Sequence, residues 1–461
     1  MNIKKGIDMA DFDYGKLSVA VDIGSFNVKG AVGYFNEDGV FKCVTIESVE
    51  SSGISHGYVK NIEAASGCVR TLLLLLQNRL YSKIKRNSAL ANFKIDFETV
   101  YVSVSGAYTQ GVSKVIERNL PHNTEVTTEL IQEMERENTN FAQTGYAKYN
   151  KDFLLSIPQR YILDGFEEEN PVGCLCSHLS VEFQNVIVRE NTVANIYECF
   201  RRAGCSQVNI MLSSMNMSDV ILTEQELSDG VALVDFGGDT ISVSIFQKNM
   251  MKYIYVLPKG SEHITKDLED LKMSGKDARK IKHRLCAMPY MEDGYNFNMT
   301  VYGEVHTYQS DVISGIIEQR MNKFLTQISE VLSVTLAGRQ LNQIVLVGGG
   351  ANLRFIKEKF EESLGIATRL GYVRGKEECN EARTYASLLS ALYHAGGHSV
   401  VLTDLDVQEQ ETVSSSDEKS ESVEERKPKK KGFFKKSKQL VEIFTGTLFN
   451  DPTSDPQDKL E

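Results

Sequence analysis

The sequence is poor in the features that mark secreted, membrane-spanning and disulfide-rich proteins. It has no tryptophan, and its leucine run at 72–76 is far shorter than the ~18–20 apolar residues of a membrane-spanning helix. Residues 1–16 carry early lysines but no apolar segment of the kind that directs secretion. The eight cysteines are scattered without CxxC or zinc-site spacing. This predicts reduced cytosolic thiols rather than disulfides or a metal centre.

Charge is unevenly distributed along the 461 residues. The formal net charge of −11 argues against a general nucleic-acid-binding protein, so we expect no nucleic-acid partner. Residues 404–425 hold nine acidic side chains and one lysine, and residues 426–438 then hold eight basic side chains and no acidic one. Because such blocks are typical of solvated tethers, we predict a flexible acidic-then-basic linker over 401–432 within a disordered C-terminal tail.

An amphipathic pattern overlaps the end of the basic block. At about 100° per residue, most apolar side chains of 433–449 fall on one face of a helix and polar ones on the other. A basic amphipathic helix of this kind is typical of segments that lie on an anionic membrane surface. The alternative is a helix that packs on the body or on a partner protein. The residues predicted to bind the membrane are Phe433, Phe434, Lys435, Lys436, Leu440, Val441, Phe444 and Leu448.

The body alternates between strand and helix patterns. Strands are predicted at 99–105, 153–157 and 179–188. Helices are predicted at 62–80, 127–141, 192–203 and 354–364.

One pattern occurs twice, once in each half of the chain. A short apolar strand ends at Asp22 and is followed by a glycine turn and a second strand, and the same order recurs around Asp235. Two such halves predict a duplicated α/β fold with a cleft between them.

A third glycine element, QIVLVGGGANL at 343–353, leads from a strand toward a helix. Glycines let the backbone approach a ligand closely, and the N–H groups at a helix start favour anions. The element matches neither GxGxxG nor the P-loop pattern, so it predicts a phosphate- or nucleotide-binding turn of another kind. A plain strand-to-helix turn is the alternative.

The three glycine elements together suit a nucleoside triphosphate. Asp22 and Asp235 can hold Mg²⁺ through its waters, because this ion dehydrates reluctantly. Ser25 and Thr240 can donate hydroxyl hydrogen bonds, and Lys29 can place a positive charge on a phosphate. The turn at 348–350 would then meet the adenosine side.

The motifs DIGSFNVK (22–29), DFGGDT (235–240) and VGGGANL (347–353) resemble the phosphate-1, phosphate-2 and adenosine motifs of the actin-like ATPases. With VYVSVSG (100–106) and IPQRYIL (157–163), the chain more closely resembles the FtsA family of bacterial cell-division proteins. The resemblance implies ATP as ligand. The nucleotide-binding residues that it implies are Asp22, Gly24, Ser25, Asn27, Lys29, Asp235, Gly237, Gly238, Thr240, Lys282, Gly348, Gly349, Gly350 and Asn352.

The same resemblance implies a two-lobed actin-like fold, ribonuclease-H-like and duplicated, with one small subdomain displaced. The first large lobe would comprise 1–97 and 181–210, and the second 211–260 and 308–400. The small subdomains would be 98–180 and 261–307, followed by the linker at 401–432 and the helix at 433–449.

FtsA-like proteins bind ATP with Mg²⁺, self-assemble into filaments and tether filaments of the tubulin-like protein FtsZ to the membrane. The resemblance therefore implies the FtsZ C-terminal tail, the anionic membrane, further copies of the chain and other division proteins as partners. The location it implies is the cytoplasmic side of the inner membrane at the division site.

Three positions depart from the family pattern. Asp239 replaces a usual glycine, and a carboxylate near phosphates is unfavourable unless it points away or meets the metal. Arg279 stands where the family's adenine-side acid is expected, although Lys282 is kept. Residues 211–218 contain no Glu or Gln to orient water, so we expect ATP binding with slow hydrolysis at most.

Two alternatives share the superfamily. A pilus-assembly adaptor would have the same fold and a different partner. A small-molecule kinase would need a catalytic carboxylate that 211–218 does not supply. A chaperone-type ATPase is disfavoured, because only about 60 polar residues follow the body where a β-rich substrate domain would stand.

Overall fold

The computed structural model describes residues 16–35, 41–85, 94–95, 97–285, 288, 293–301, 304–335, 341–373 and 380–395. The predicted linker at 401–432 and the predicted helix at 433–449 lie outside these residues. The described strands are β1 (Lys16–Ile23), β2 (Asn27–Phe35), β3 (Phe41–Glu50), β4 (Ile54–Ser55), β5 (Tyr58–Val59), β6 (Lys94–Ile95), β7 (Thr99–Val104), β8 (Gln110–Glu125), β9 (Lys151–Leu163), β10 (Phe166–Glu168), β11 (Leu175–Arg189), β12 (Gln207–Leu212), β13 (Val231–Phe236), β14 (Ile241–Gln247), β15 (Met250–Leu257), β16 (Asn296–Val301), β17 (Glu304–Gln309), β18 (Gln343–Val347) and β19 (Thr368–Leu370).

Helices alternate with these strands through most of the chain. The described helices are α1 (Ile62–Ile84), α2 (Thr128–Ala147), α3 (Thr192–Ala203), α4 (Ser213–Ile221), α5 (Glu224–Asp229), α6 (Glu262–Glu269), α7 (Gly275–Arg284), α8 (Ser310–Thr335), α9 (Ile356–Leu364), α10 (Asn380–Thr384) and α11 (Ala386–Ala395). None of the helices in the described part is long and apolar enough to cross a membrane.

The first sheet runs in the order β12-β7-β1-β2-β3, with β6 paired to β1. Its central strand β1 is antiparallel to β2 and parallel to β7. Leu17, Val19, Ala20 and Val21 are buried, as expected for a central strand covered on both faces. At the end of β1, Asp22 is in register with Lys29 of β2 and Ser103 of β7.

The second sheet has nine strands in the order β10-β9-β11-β8-β15-β14-β13-β18-β19. Strand β13 is antiparallel to β14 and parallel to β18, which repeats the arrangement of β1 with β2 and β7. Asp235 lies near the end of β13, in register with Ser242 and Val347. The pattern that occurs twice in the sequence therefore forms two equivalent hairpins, one in each sheet.

At the other end of this sheet, β8, β9 and β11 pack with α2 around a separate apolar cluster that includes Ile116, Met134 and Phe183. Strand β8 joins β15 through the pair Gln110 and Tyr255. The boundaries of the four lobes and subdomains given above stay a prediction.

Helices α4 and α11 lie at the junction of the two sheets. Helix α4 follows β12 of the first sheet and leads through α5 to β13 of the second. Helix α11 follows β19 of the second sheet and packs against α4, β1, β2 and β7. One buried cluster accordingly contains Ala20 of β1, Leu233 of β13 and Leu389 of α11.

Several predicted element bounds were wrong. Helix α1 continues to Ile84 and α2 to Ala147, beyond the predicted ends at 80 and 141. Strand β9 covers Lys151–Leu163 rather than 153–157, because it pairs with β11 over that whole length. Helix α9 begins at Ile356 instead of 354, because Phe355 has left-handed backbone angles (φ 59°). The helix at 192–203 is confirmed, with Gly204 at its C-cap.

Candidate functional site

A cleft of about 390 Å³ lies where the two equivalent hairpins meet. Its walls come from the β1–β2 turn, the β13–β14 turn, the segment after β18, and helices α7 and α11. It brings together all the predicted nucleotide-binding residues except Gly350. Gly350 is buried behind the cleft, where a Cβ atom would come within 2.7 Å of the Phe236 ring. The structure places Gly350 under the third glycine turn instead of in the cleft wall.

The Asp22 carboxyl group lies on the cleft floor beside two polar side chains, Lys29 and Ser387. Lys29 Nζ lies 3.8 Å from Asp22 Oδ2 and donates a hydrogen bond of 3.0 Å to the carbonyl oxygen of Thr384. Ser387 Oγ donates to Asp22 Oδ1 at 3.2 Å. Burial raises the pKa of Asp22, and the charge of Lys29 and the Ser387 hydrogen bond oppose that rise.

The Asp235 carboxyl group faces the same space from the other sheet. Burial, followed by the nearby negative charge of Asp22, raises its pKa to about 6, while Lys29 acts in the opposite direction. Two carboxylates that repel each other across a buried space, with one lysine near both, make an arrangement that a divalent cation would stabilise. The cleft thus pairs the two aspartates selected from the sequence.

The donor set fits magnesium better than a fully protein-coordinated ion. Within the described part of the chain, no cluster of three or more His, Cys, Asp or Glu side chains could hold a metal. Magnesium keeps several waters and commonly takes only one or two carboxylates together with phosphate oxygens. Asp22 and Asp235 supply such a pair.

The glycines of the turns have two different structural roles. A Cβ atom at Gly24 would come within 2.6 Å of the Asn27 carbonyl oxygen, so this glycine closes a tight turn. At Gly238 a Cβ atom would meet only Phe26, at 3.8 Å, and at Gly349 only Thr384, at 3.9 Å. A side chain there would project into open cleft space, which leaves the backbone accessible to a ligand.

Gly348, the first glycine of the third element, lies directly against the Asp235 carboxyl group. Its φ is 86°, a left-handed conformation that disfavours other residues. A Cβ atom there would collide with Asp235 Oδ1. The first glycine of the third element therefore allows the second aspartate to keep its position.

Lys282 lies at the opposite end of the cleft with its side chain only 3% exposed. Its Nζ donates to Ser261 O at 3.0 Å and to Thr265 Oγ1 at 2.9 Å. Burial lowers its pKa to about 8. Burial likewise lowers the pKa of the adjacent His283 to about 4, so this ring is neutral near pH 7.

An acid does stand beside Lys282, although it comes from another helix. Glu262 of α6 lies 4.0 Å from Lys282 Nζ and accepts hydrogen bonds from Arg279 at 2.7 and 3.4 Å. The guanidinium of Arg279 also lies 4.2 Å from the ring of Phe26, across the cleft mouth. The acid expected three residues before Lys282 is absent, and the acidic group beside Lys282 comes from Glu262 of α6 instead.

Asp239 points away from the cleft floor. Its Oδ2 accepts a 2.9 Å hydrogen bond from the backbone N–H of His56, and His56 Nδ1 lies 3.1 Å from the same oxygen. His56 sits in the β4–β5 turn, whose next residue, Gly57, donates its N–H to Ser25 Oγ. The β4–β5 turn therefore contacts both hairpin turns.

Further cleft residues lie outside the set predicted from the sequence. Glu262, Arg279, Arg383, Thr384 and Ser387 line the cleft without belonging to any glycine motif. Arg383 is buried and donates to Asn352 Oδ1 at 2.7 Å, which fixes the third glycine element. Only Arg279 drew attention in the sequence, through its place in the Lys282 segment.

The expected thiols are found wherever the chain is described. Among the described residues, Cys43, Cys68, Cys174, Cys176, Cys199 and Cys205 are thiols outside any disulfide. Cys286 and Cys379 lie outside the described residues.

Two family models match parts of the chain. The family model described as "Cell division protein FtsA" matches residues 232–390, and that described as "SHS2 domain inserted in FTSA" matches residues 106–187. The chain is 27% identical over 347 residues to cell division protein FtsA of Bacillus subtilis (strain 168), covering 73% of this chain and 74% of that protein. It is 26% identical over 400 residues to FtsA of Buchnera aphidicola subsp. Schizaphis graminum, covering 83% and 91%.

Among solved structures, the PilM-PilN type IV pilus biogenesis complex is similar in fold. It aligns with a TM-score of 0.56 at 14% identity, over 82% of this chain and 98% of that chain. At this identity the similarity concerns the fold alone. The predicted fold class, mixed α/β and actin-like, is confirmed.

Proposed function

The chain belongs to the FtsA family of bacterial cell-division proteins, and on this premise we propose that it binds ATP with Mg²⁺ in the cleft between its sheets. We further propose that the nucleotide-bound chain assembles with further copies and tethers FtsZ filaments to the inner face of the cytoplasmic membrane at the division site. The approach of Asp22 and Asp235 to each other in one cleft is the observation that carries the nucleotide part.

The residues divide the binding task between phosphates, metal and base. The backbone N–H groups of the two hairpin turns and the hydroxyls of Ser25 and Thr240 donate to phosphate oxygens, and Lys29 adds a positive charge. Asp22 and Asp235 hold the metal through its waters, and magnesium would neutralise part of the phosphate charge. The third glycine turn and Lys282 lie on the nucleoside side.

Hydrolysis is expected to be slow. Orienting the attacking water is much of the work in phosphoryl transfer to water, and it needs a positioned acceptor such as Glu or Gln. The 211–218 segment holds buried Ser213, Ser214 and Asn216 and no such acceptor. We therefore propose that ATP acts mainly as a ligand that stabilises one state of the protein.

The test of the cleft is a titration of ATP against the wild type and Asp235→Asn, with magnesium and with EDTA. We expect Asp235→Asn to weaken binding about tenfold or more in magnesium, because one of the two negative charges that would hold the metal is lost. Asp229→Asn is the matched control, since Asp229 is exposed just before the start of the same strand. Equal affinity of all three proteins for ATP would refute the assignment of the cleft.

The tether part of the proposal depends on 433–449 and on the FtsZ tail. The basic amphipathic pattern supports the membrane contact, and family membership supports the FtsZ contact. A pull-down with an FtsZ C-terminal peptide separates this function from that of a pilus-assembly adaptor of the same fold. Retention of the peptide supports the division function, and its absence would favour the adaptor.

A further inference from the structure

We propose that Ser387 is a positioning residue for Asp22, and that it connects this carboxylate to the two helices at the junction of the sheets. The inference rests on the proposed function, because it concerns how Asp22 is presented to magnesium.

The hydroxyl group of Ser387 uses all of its hydrogen-bonding capacity. Its Oγ donates to Asp22 Oδ1 at 3.2 Å, accepts from Ser213 Oγ at 3.0 Å, and lies 2.8 Å from Ser103 Oγ. A serine hydroxyl has one proton and two acceptor lone pairs, and an ionised carboxylate can only accept. The Ser387 proton is therefore directed at Asp22, and both Ser103 and Ser213 donate to Ser387.

This arrangement gives the two oxygens of Asp22 different partners. Oδ1 accepts from Ser387, whereas Oδ2 is the oxygen that lies 3.8 Å from Lys29 Nζ. Without the Ser387 hydroxyl, Asp22 would be free to turn toward Lys29 and form a closer ion pair. That ion pair would compete with a metal-bound water for the carboxylate.

The four side chains come from elements that belong to different parts of the fold. Asp22 is the penultimate residue of β1, Ser103 lies on β7, Ser213 begins α4, and Ser387 lies in the first turn of α11. Helix α4 leads from the first sheet toward the second, α11 follows the second sheet and packs on the first, and the two helices pack against each other. A rotation of one sheet against the other that moves α4 or α11 would change the hydrogen bonds that hold Asp22.

Helix α11 offers a matched control. Ser390 lies one turn after Ser387 and is fully buried, and its Oγ has no hydrogen-bond partner among the described residues. Ser390→Ala thus removes the same atom from the same helix without touching Asp22. Ser387→Thr keeps the hydroxyl group and is the conservative variant.

The experiment titrates ATP against the full chain and its variants by calorimetry, once with magnesium and once with EDTA. We expect Ser387→Ala to weaken binding about tenfold in magnesium, the loss typical of one hydrogen bond to a charged group, and to leave binding in EDTA unchanged. Ser387→Thr should restore the magnesium dependence, and Ser390→Ala should match the wild type in both buffers.

Suppose that the wild type binds ATP more tightly in magnesium than in EDTA, as the proposed function requires. Two results would then overturn the inference about Ser387 and leave the proposed function standing. One is a Ser387→Ala variant that matches Ser390→Ala. The other is an equal loss in both buffers, which would indicate a structural role. A wild type indifferent to magnesium would overturn the proposed function and this inference together. If Ser387→Ala fails to fold, Ser213→Ala provides the test, because it removes one of the two donors to Ser387. We expect Ser213→Ala to weaken ATP binding in magnesium only, and by less than Ser387→Ala would. Unchanged ATP binding by Ser213→Ala would contradict the inference.

Discussion

The carboxyl group of Asp239 accepts a hydrogen bond from the backbone N–H of His56, and this contact joins the β13–β14 turn of one sheet to the β4–β5 turn beside the other. The family's usual glycine could not make it. A carboxylate that would otherwise oppose phosphates is instead engaged by the β4–β5 turn, so it links the two sides of the cleft.

Loss of this link should speed nucleotide release. We expect Asp239→Ala to release a fluorescent ATP analogue several-fold faster than the wild type in stopped-flow experiments, because the acceptor for His56 N–H is removed. Asp239→Asn keeps an acceptor oxygen and serves as the control, with a release rate close to that of the wild type. Identical rates for the alanine variant and the wild type would show that the contact does not restrain the cleft.

Asp235 should make the stability of the ligand-free protein depend on pH. Its pKa of about 6 in the folded chain lies above the ordinary value of 3.8. Between these two pH values the folded chain keeps the Asp235 proton, whereas the unfolded chain has lost it. Stability contributed by this group is therefore present below pH ~4 and is lost as the pH rises through ~6. A difference of about two pKa units corresponds to about 3 kcal/mol.

Asp235→Asn removes this titration while keeping the shape of the side chain. In the absence of nucleotide and magnesium, we expect it to be more stable than the wild type at pH 7, by up to about 3 kcal/mol. Urea unfolding of both proteins between pH 4 and 7 measures the difference. A gap that stays constant across this range would contradict the assigned pKa.

The apolar face of 433–449 should determine membrane binding. We expect Leu440→Asp with Phe444→Asp to lower partition onto anionic vesicles by about 3 kcal/mol or more, since two large apolar side chains no longer enter the bilayer. Gln439→Asp, on the opposite face of the predicted helix, is the control for added negative charge. Vesicle co-sedimentation gives the result, and equal binding of both variants would point to a helix that packs on protein.

The resemblance to the FtsA family also implies that the FtsZ tail docks on the second predicted small subdomain, 261–307. Val305 on β17 is 69% exposed, and Val172 in the first predicted small subdomain is 54% exposed. We expect Val305→Glu to weaken binding of an FtsZ C-terminal peptide about tenfold and Val172→Glu to leave it unchanged, because a charge opposes apolar docking. Fluorescence anisotropy with both variants distinguishes the subdomains, and a loss confined to Val172→Glu would reverse the assignment.

The sequence predicted the parts of the site that are local along the chain. Asp22 and Asp235 each end an apolar strand before a glycine turn, and this pattern is visible within ten residues. Ser387 gave no such signal, because it reaches Asp22 across 365 positions through the packing of α11 on β1. Glu262 was missed for a related reason: its approach to Lys282 depends on how α6 packs on α7.

Element bounds were predicted less well than element types. The start of α9 depends on the left-handed angles of Phe355, which no residue preference of phenylalanine would suggest. The length of β9 depends on its partner β11, a contact that its own alternation does not reveal.

In the nine-stranded sheet, strands β8 and β15 are joined in register through one residue pair, Gln110 and Tyr255. Long ladders on either side, such as β8 with β11 and β14 with β15, share load over many parallel hydrogen bonds. At the seam between β8 and β15 there is one residue pair in register, and Tyr108 and Thr109 make the adjoining backbone hydrogen bonds with Val256. A force that separates β8 from β15 would therefore break fewer backbone hydrogen bonds than one that separates β8 from β11.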